Sequence, residues 1–280
     1  MQPLPVTTDV FAAALGLASG LTHGRTLFRR GVRLSSRDLP RQARLLTCIG
    51  LGFVLLNVVY LPVKDNPVTA WFLPVSVEYY GDVATWVVDL LVMAFLSGAA
   101  IAVAVLERHP LRWALPVGTV VLLGTAMFTY HAFKSGVPPE LRGARRSADG
   151  VILQTNGSTC AAAACANISS FLGVPKTEKE MVALLGTADD GTSNAEVIHG
   201  MRNLGFRCVK RYIRDRDASR LHVPAMLVVD LVGQPDGHAV AYMGQKDGKA
   251  EIWDPTGGKK WLGAEELRGL WRGRAIEVWR

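Results

Sequence analysis

The sequence predicts a chain of two unlike parts: an N-terminal α-helical transmembrane bundle of three or four spans, over residues 1–135, and a C-terminal α+β domain over 151–280, with a linker at 136–150. Three observations carry this. Hydrophobic residues are 49% of the 280 positions and charged residues only 20%, against about a quarter charged in an ordinary soluble chain. The deficit is local: between Leu45 and Leu106 only Lys64, Asp65, Glu78, Asp82 and Asp89 are charged, while the chain after Lys134 is normally charged. Beyond Gly150, helix-patterned segments come first and strand-patterned segments follow, which is α+β order. The composition excludes a disordered chain and a disulfide scaffold.

The spans come first. Leu45–Val63, Val83–Leu106 and Trp113–Phe133 each offer about 19 or more mostly apolar residues, enough at 1.5 Å per residue for a hydrocarbon core of roughly 30 Å. A fourth segment, at about 7–22, is shorter and rich in small residues. No Lys or Arg precedes it and Asp9 stands at its start, which argues against a signal peptide. The connection from His23 to Arg44 holds seven arginines against Asp38 alone, a net +6 of the chain's +7. Short basic loops stay cytoplasmic, so the C-terminal domain is expected outside the cytoplasm, in the periplasm of a cell carrying this chain in its inner membrane. Counting Lys and Arg, nine fall inside against five outside, the latter including Lys134, Arg142, Arg145 and Arg146. The pI near 9.4 thus reflects one loop facing lipid headgroups, and no nucleic-acid partner is expected.

Two features of this half stand out. Asp89 is an acid within an apolar run, by default a functional candidate, although a hydrogen bond between helices is the better account of it, and no second acid suggests a transport path. Asn57 reads the same way. The segment Pro67–Val77 is too short to span. Its Trp71 and prolines suit a chain lying at an interface, a docking surface for the tail or a substrate, or a lipid anchor.

The linker contains Pro138-Pro139, Gly136 and Gly143 among basic residues. After it, Val151–Leu153 is a short apolar run and Ala161–Leu172 a helix stopped by Gly173. Thr177-x-x-Glu180 is a capping box that opens a helix through Leu185, ended by Gly186. Ser193 or Asn194 caps a third helix running to Leu204. Strands are expected at Arg207–Ile213, Pro224–Leu231, His238–Met243, Lys249–Trp253 and Ala275–Trp279, with a helix at Ala264–Trp271.

Cys160 opens the alanine-rich helix. There it meets the positive end of the helix dipole and unpaired backbone amides, both of which favour the reactive thiolate. Gln154, six residues upstream, is placed to turn its amide toward an oxyanion beside the thiol. A nucleophile needs a base. Of six histidines, His238 begins a strand after Gly237, and Asp254-Pro255 ends the next strand. If Gly244–Gly248 forms a five-residue hairpin loop, residues whose numbers sum to 492 oppose each other, and His238 and Asp254 do. A two-residue Asp247-Gly248 turn spoils that register.

These residues resemble the bacterial peptidase C39 family of papain-like cysteine proteases, over about Val151–Arg280. The likeness rests on Gln154-x5-Cys160, Leu184-Leu185-Gly186-Thr187, Gly191-Thr192-Ser193, Leu204-Gly205-Phe206, Gly237-His238 with Asp254-Pro255, and Trp271-Arg272-Gly273. It implies a papain-like domain with Cys160 as nucleophile, His238 as general base, Asp254 as its orienter and Gln154 as oxyanion donor. The implied substrate is a polypeptide, and the expected membrane tether suggests one that is exported or presented at the membrane; no Cys/His cluster has zinc spacing, so no metal is expected, and no cofactor. The family commonly has Gly-Pro after the cysteine, where this chain has Ala161-Ala162. Ala161 still carries a backbone N–H. Familiar members are fused to ATP-driven exporters. No G-x4-G-K-[ST] loop is present here, so the chain is expected not to be such an exporter nor to use ATP. A catalytically inactive peptide- or partner-binding module and another thiol acyl-transfer enzyme (amidase or transglutaminase) remain open beside the peptidase. Cys165 and Cys208 are either a disulfide or two buried thiols. Cys48 falls in an expected span.

Overall fold

A computed structural model describes residues 6–32, 48–49, 52, 63, 67–107, 139–231 and 234–280. The chain divides into two compact units: Trp71–Tyr79 together with Ser135–Arg280, and Gln2–Ala70 together with Tyr80–Lys134.

The second unit contains helix α1 (Val6–Arg29) and most of α3 (Val75–Glu107), while α2 (Pro67–Phe72) precedes α3. Helices α1 and α3 approach closely along a stripe of glycines. A Cβ on Gly20 would stand 2.0 Å from the Phe95 carbonyl oxygen, and one on Gly98 2.5 Å from that of Leu17. Such a stripe lets two backbones meet where any side chain would hold them apart.

The expected N-terminal transmembrane bundle is corrected here. Among the described residues no helix is long and apolar enough to cross a membrane. The apolar run of helix α1 is cut short by Thr22, His23, Arg25 and Thr26. The run assigned to a span at 83–106 belongs to a helix that buries Asp89 to 2% exposure and turns apolar surface onto α1 through the glycine contacts. The expected spans at 45–63 and 113–133, with Asn57, lie outside the described residues, apart from residues 48, 49, 52 and 63.

The C-terminal unit is built on one antiparallel sheet. Its strands are β3 (Arg207–Tyr212), β4 (Ala225–Leu231), β5 (Gln234–Lys246), β6 (Lys249–Asp254), β7 (Gly258–Gly263) and β8 (Trp271–Trp279), in spatial order β3-β8-β4-β5-β6-β7. Side-chain alternation gives the sheet two apolar faces. Met226, Ala239, Ala241, Met243, Ile276 and Val278 cover one, beneath helices α4 (Cys160–Phe171), α5 (Glu178–Leu185) and α6 (Asn194–Asn203). Leu227, Val229, Val240, Tyr242, Ile252 and Trp271 cover the other, with Leu267 of helix α7 (Ala264–Leu270). Helices α5 and α6 begin at the expected caps: Thr177 with Glu180 and Ser193 with Glu196 each form a reciprocal capping box. Strand β7 was not anticipated. Its alternation is masked by Gly258, Lys259, Lys260 and Gly263 on a mostly exposed edge. The basic stretch before Val151 is also partly folded: β1 (Arg145–Arg146) pairs antiparallel with β2 (Ile152–Leu153).

The segment Trp71–Tyr79 packs into this C-terminal unit, which decides among the readings of Pro67–Val77 in favour of docking. Trp71 is 4% exposed and joins the core under α4–α6. Glu78, 5% exposed, accepts a 2.7 Å bond from Lys210 Nζ on β3 and a 3.3 Å bond from the Ala195 N–H in the first turn of α6. The same ammonium donates to the Leu73 carbonyl at 3.0 Å and lies 5.6 Å from the Trp71 ring centre. Removing one partner of a buried pair strands the other charge. Glu78→Leu is therefore expected to cost about 3 kcal/mol in denaturant unfolding of the full chain. The double change Glu78→Leu with Lys210→Met should recover most of it. Equal stability of the single variant and the parent would show that the pair holds nothing.

Candidate active site

The site forms where the start of α4 meets the open ends of β5 and β6. The loop 154–159 that delivers Cys160 is fixed from behind by Glu178, the first residue of α5 and only 4% exposed. Its Oε1 accepts the Thr155 N–H at 2.8 Å and the Thr159 hydroxyl at 2.6 Å. Thr159 is the N-cap residue of α4 and, with its hydroxyl so engaged, makes no side-chain capping bond. The first amides of α4 are thus left to act at the thiol, as the backbone N–H of Ala161 does.

A second tie runs through Asn167, two turns into α4 and 1% exposed. Its Oδ1 accepts the Ile152 N–H at 2.8 Å, and its Nδ2 donates to the carbonyls of Ile152 at 2.9 Å and Ala163 at 3.0 Å. Strand β2, which leads into Gln154, is thereby fastened to the helix that carries Cys160. Gln154 also donates its backbone N–H to the Pro255 carbonyl at 2.9 Å, which joins this loop to the end of β6.

His238 and Asp254 meet, though not by the expected register. The β5–β6 hairpin closes through a two-residue turn at Asp247-Gly248, with φ of 51° and 73°. A bulge between Tyr242 and Gly244 shifts the ladder, so Ala241 faces Trp253. By that count His238 lies diagonal to Asp254 and not opposite it. A diagonal pair is still within reach of an imidazole, and His238 Nε2 sits 2.9 Å from Asp254 Oδ1. Gly237 precedes the histidine at φ 82°, in the left-handed region, and a Cβ there would press on Val228 Cγ1 at 3.0 Å. His238 pairs with Val229 just before a bulge in β4, the kind of irregularity that re-aims a side chain.

Asp254 is held on all sides. Its Oδ1 accepts the Thr256 N–H at 2.8 Å and hydroxyl at 2.7 Å, and its Oδ2 the Lys260 ammonium at 2.6 Å. Burial alone would raise its pKa. The bonds from His238, Lys260 and Thr256 outweigh that and hold the carboxyl far below the usual range. His238 is 1% exposed. Burial would lower its pKa, yet its bonds and charge interactions with Asp254 and Cys160 raise it to about 9. Burial would push the Cys160 thiol up, but the His238 imidazole and the backbone amides of Ala239 and Ala161 bring it below its ordinary value. Asp254 occupies Nε2, which leaves Nδ1, buried and without a hydrogen-bond partner, as the ring nitrogen available to the thiol.

Gln154 lines a cavity of about 290 Å³ with Arg142, Thr155, Asn156 and Gly157. Its Nε2 donates to the Asn156 carbonyl at 3.0 Å and retains a second N–H. All four residues singled out in the sequence thus belong to one locality. Cys165 and Cys208 are free and buried. Burial pushes Cys165 far up and Cys208 to about 11, as expected of inert core thiols. Glu178, Asn167, Thr256 and Lys260 were missed. Asp254-x-Thr256 carries the local signature of an Asx turn, and a lone Asn in an alanine helix is a weak hint of a buried tie. Glu178 gave no signal apart from its place in a capped first turn. Among the described residues no group of three His, Cys, Asp or Glu is arranged to hold a metal ion.

Comparison with known proteins bears on residues 149–280, which match the model of the Peptidase C39 family. No curated protein matches the chain. Among solved structures the chain is similar to a double glycine motif protease from an AMS/PCAT transporter in complex with the leader peptide (18% identity, 51% of this chain and 95% of that one, TM-score 0.41). It is also similar to the peptidase domain of Streptococcus ComA, a bi-functional ABC transporter involved in a quorum sensing pathway (21% identity, 45% and 94%, TM-score 0.41). A third is the N-terminal peptidase C39 like domain of a toxin secretion ATP-binding protein from Vibrio parahaemolyticus (15% identity, 42% and 94%, TM-score 0.34). By the family match, residues 149–280 are a Peptidase C39 family domain, and this part of the chain is a cysteine peptidase.

Proposed function

We propose that Cys160, His238, Asp254 and Gln154 carry the peptide-bond cleavage and that the substrate is a polypeptide. The observation behind this reading is the opposite displacement of two adjoining groups: the thiol is brought below its ordinary pKa and the imidazole above its own, to about 9. These opposite shifts favour thiolate and imidazolium as the reactive form of the pair. The thiolate attacks the carbonyl carbon of the scissile bond, and the carbonyl oxygen takes the negative charge. The free N–H of Gln154 and the backbone N–H of Cys160 stabilise that oxyanion. His238 passes its Nδ1 proton to the leaving amine, while Asp254 keeps Nε2–H in place and stabilises the imidazolium. Water then attacks the thioester, giving a proton to Nδ1, and the acid departs as the thiolate re-forms.

The test is incubation of the full chain with a proteome-derived peptide library, reading new amino termini by mass spectrometry. New termini from the parent and none from Cys160→Ala are expected. Equal cleavage by both, or none by either, would overturn the reading.

A further inference from the structure

The basic stretch around Arg142, which the sequence left as a linker, is pinned across the loop that carries Gln154. The Glu140 carbonyl accepts the Asn156 Nδ2–H at 3.2 Å, and Leu141 packs against the core under α4–α6. The chain then enters β1, where Arg145 pairs with Leu153, one residue before Gln154. Arg142 is held between these anchors and lines the cavity of about 290 Å³ with Gln154, Thr155 and Asn156. That volume has room for a side chain of a bound peptide and falls short of a drug-sized ligand pocket.

The lining has unmet polar capacity. Thr155 is 9% exposed, and its hydroxyl is buried without a hydrogen-bond partner. Gln154 Oε1 is buried and likewise without one. Arg142 makes no ion pair among the described residues. A buried polar group without a partner is costly, and a guanidinium fork matches a carboxylate in geometry and charge. An incoming peptide that brings a carboxylate and a backbone N–H would meet the donors of Arg142 and Thr155 and the acceptor of Gln154 together.

The geometry points to a substrate subsite here that takes an Asp or Glu side chain close to the scissile bond of the polypeptide. This rests on the peptidase reading only for the word substrate; the binding is testable without cleavage. The full chain carrying Cys160→Ala is presented with a random 12-residue peptide library, and the retained peptides are sequenced by mass spectrometry. Retained peptides should be enriched at least fivefold in Asp or Glu at one position. Adding Arg142→Gln should abolish that enrichment, and Arg142→Glu should turn it toward Lys and Arg. Arg145→Gln, outside the cavity lining, should leave it intact. Retention of no peptide, an unbiased set, or equal loss with Arg145→Gln would overturn the subsite, the last pointing to a diffuse basic surface. If acidic peptides are retained but the parent does not cut them, the subsite stands and the peptidase reading falls. Cleavage by the parent without acidic preference gives the reverse.

Discussion

Replacing His238 by Ala should slow alkylation of Cys160 at pH 6 by about tenfold and peptide cleavage by 10³-fold or more. The two numbers differ for a physical reason. Without the imidazole the thiol returns toward an ordinary pKa of about 8.5, so little thiolate remains at pH 6. The thiolate that does form is more basic and intrinsically more nucleophilic, which returns much of the loss in a simple alkylation. Cleavage loses the proton donor for the leaving amine as well, a contribution of about 10²–10⁴ by itself.

The pH dependence follows with a definite sign. Cleavage rises as Cys160 deprotonates, below the ordinary thiol range, and falls as His238 loses its proton near pH 9. Alkylation of the parent has no matching alkaline fall, because the thiolate persists when the imidazole is neutral. Cys165 and Cys208, both pushed up by burial, are silent at pH 6 and serve as references when labelling is read by mass spectrometry. Parent Cys160 that labels only as an ordinary thiol, indifferent to His238→Ala, would sink the ion pair.

Asn167→Leu is the second large effect expected. It leaves the N–H and carbonyl of Ile152 buried without partners, at about 1–3 kcal/mol each. We expect a loss of about 3 kcal/mol and a fall in melting temperature of about 10 °C. The thermal scan should be paired with the cleavage assay below the melting range. There activity should drop further than the folded fraction, because β2 no longer holds Gln154 in register with α4. A stability unchanged from the parent would show that the tie is dispensable.

Much of the catalytic half was legible in the sequence, because its signals are local. Gly173, Thr177, Gly186 and Ser193 act within one helical turn of themselves, and each marks its boundary within a residue or two. Cys160 before a run of alanines and His238 after Gly237 likewise needed no knowledge of distant contacts. The hairpin register was different. A bulge at Gly244 depends on how β5 bends over its neighbours, and the pairing was misjudged even though the contact was found. Glu178 and Asn167 were missed for a related reason: their partners include backbone groups 15 to 23 residues away, and backbone groups have no letter in a sequence. In the N-terminal half, hydropathy registered apolar residues without saying what covers them. The glycines spaced along α1, where the backbone of α3 approaches, were read only as small residues.

The Glu78–Lys210 pair joins residues 132 positions apart, with consequences for how the protein is made. At about 5–20 residues per second, Trp71 and Glu78 leave the ribosome roughly 7 to 26 s before β3 exists to receive them. The groove for this segment is completed by α6 and β3, near the middle of the catalytic region's synthesis, and the sheet is completed only by β8. A nascent chain therefore carries an exposed tryptophan and an unmatched carboxylate until translation is well advanced. The segment makes maturation of the peptidase a late event, timed by the length of chain that separates an acid from its base.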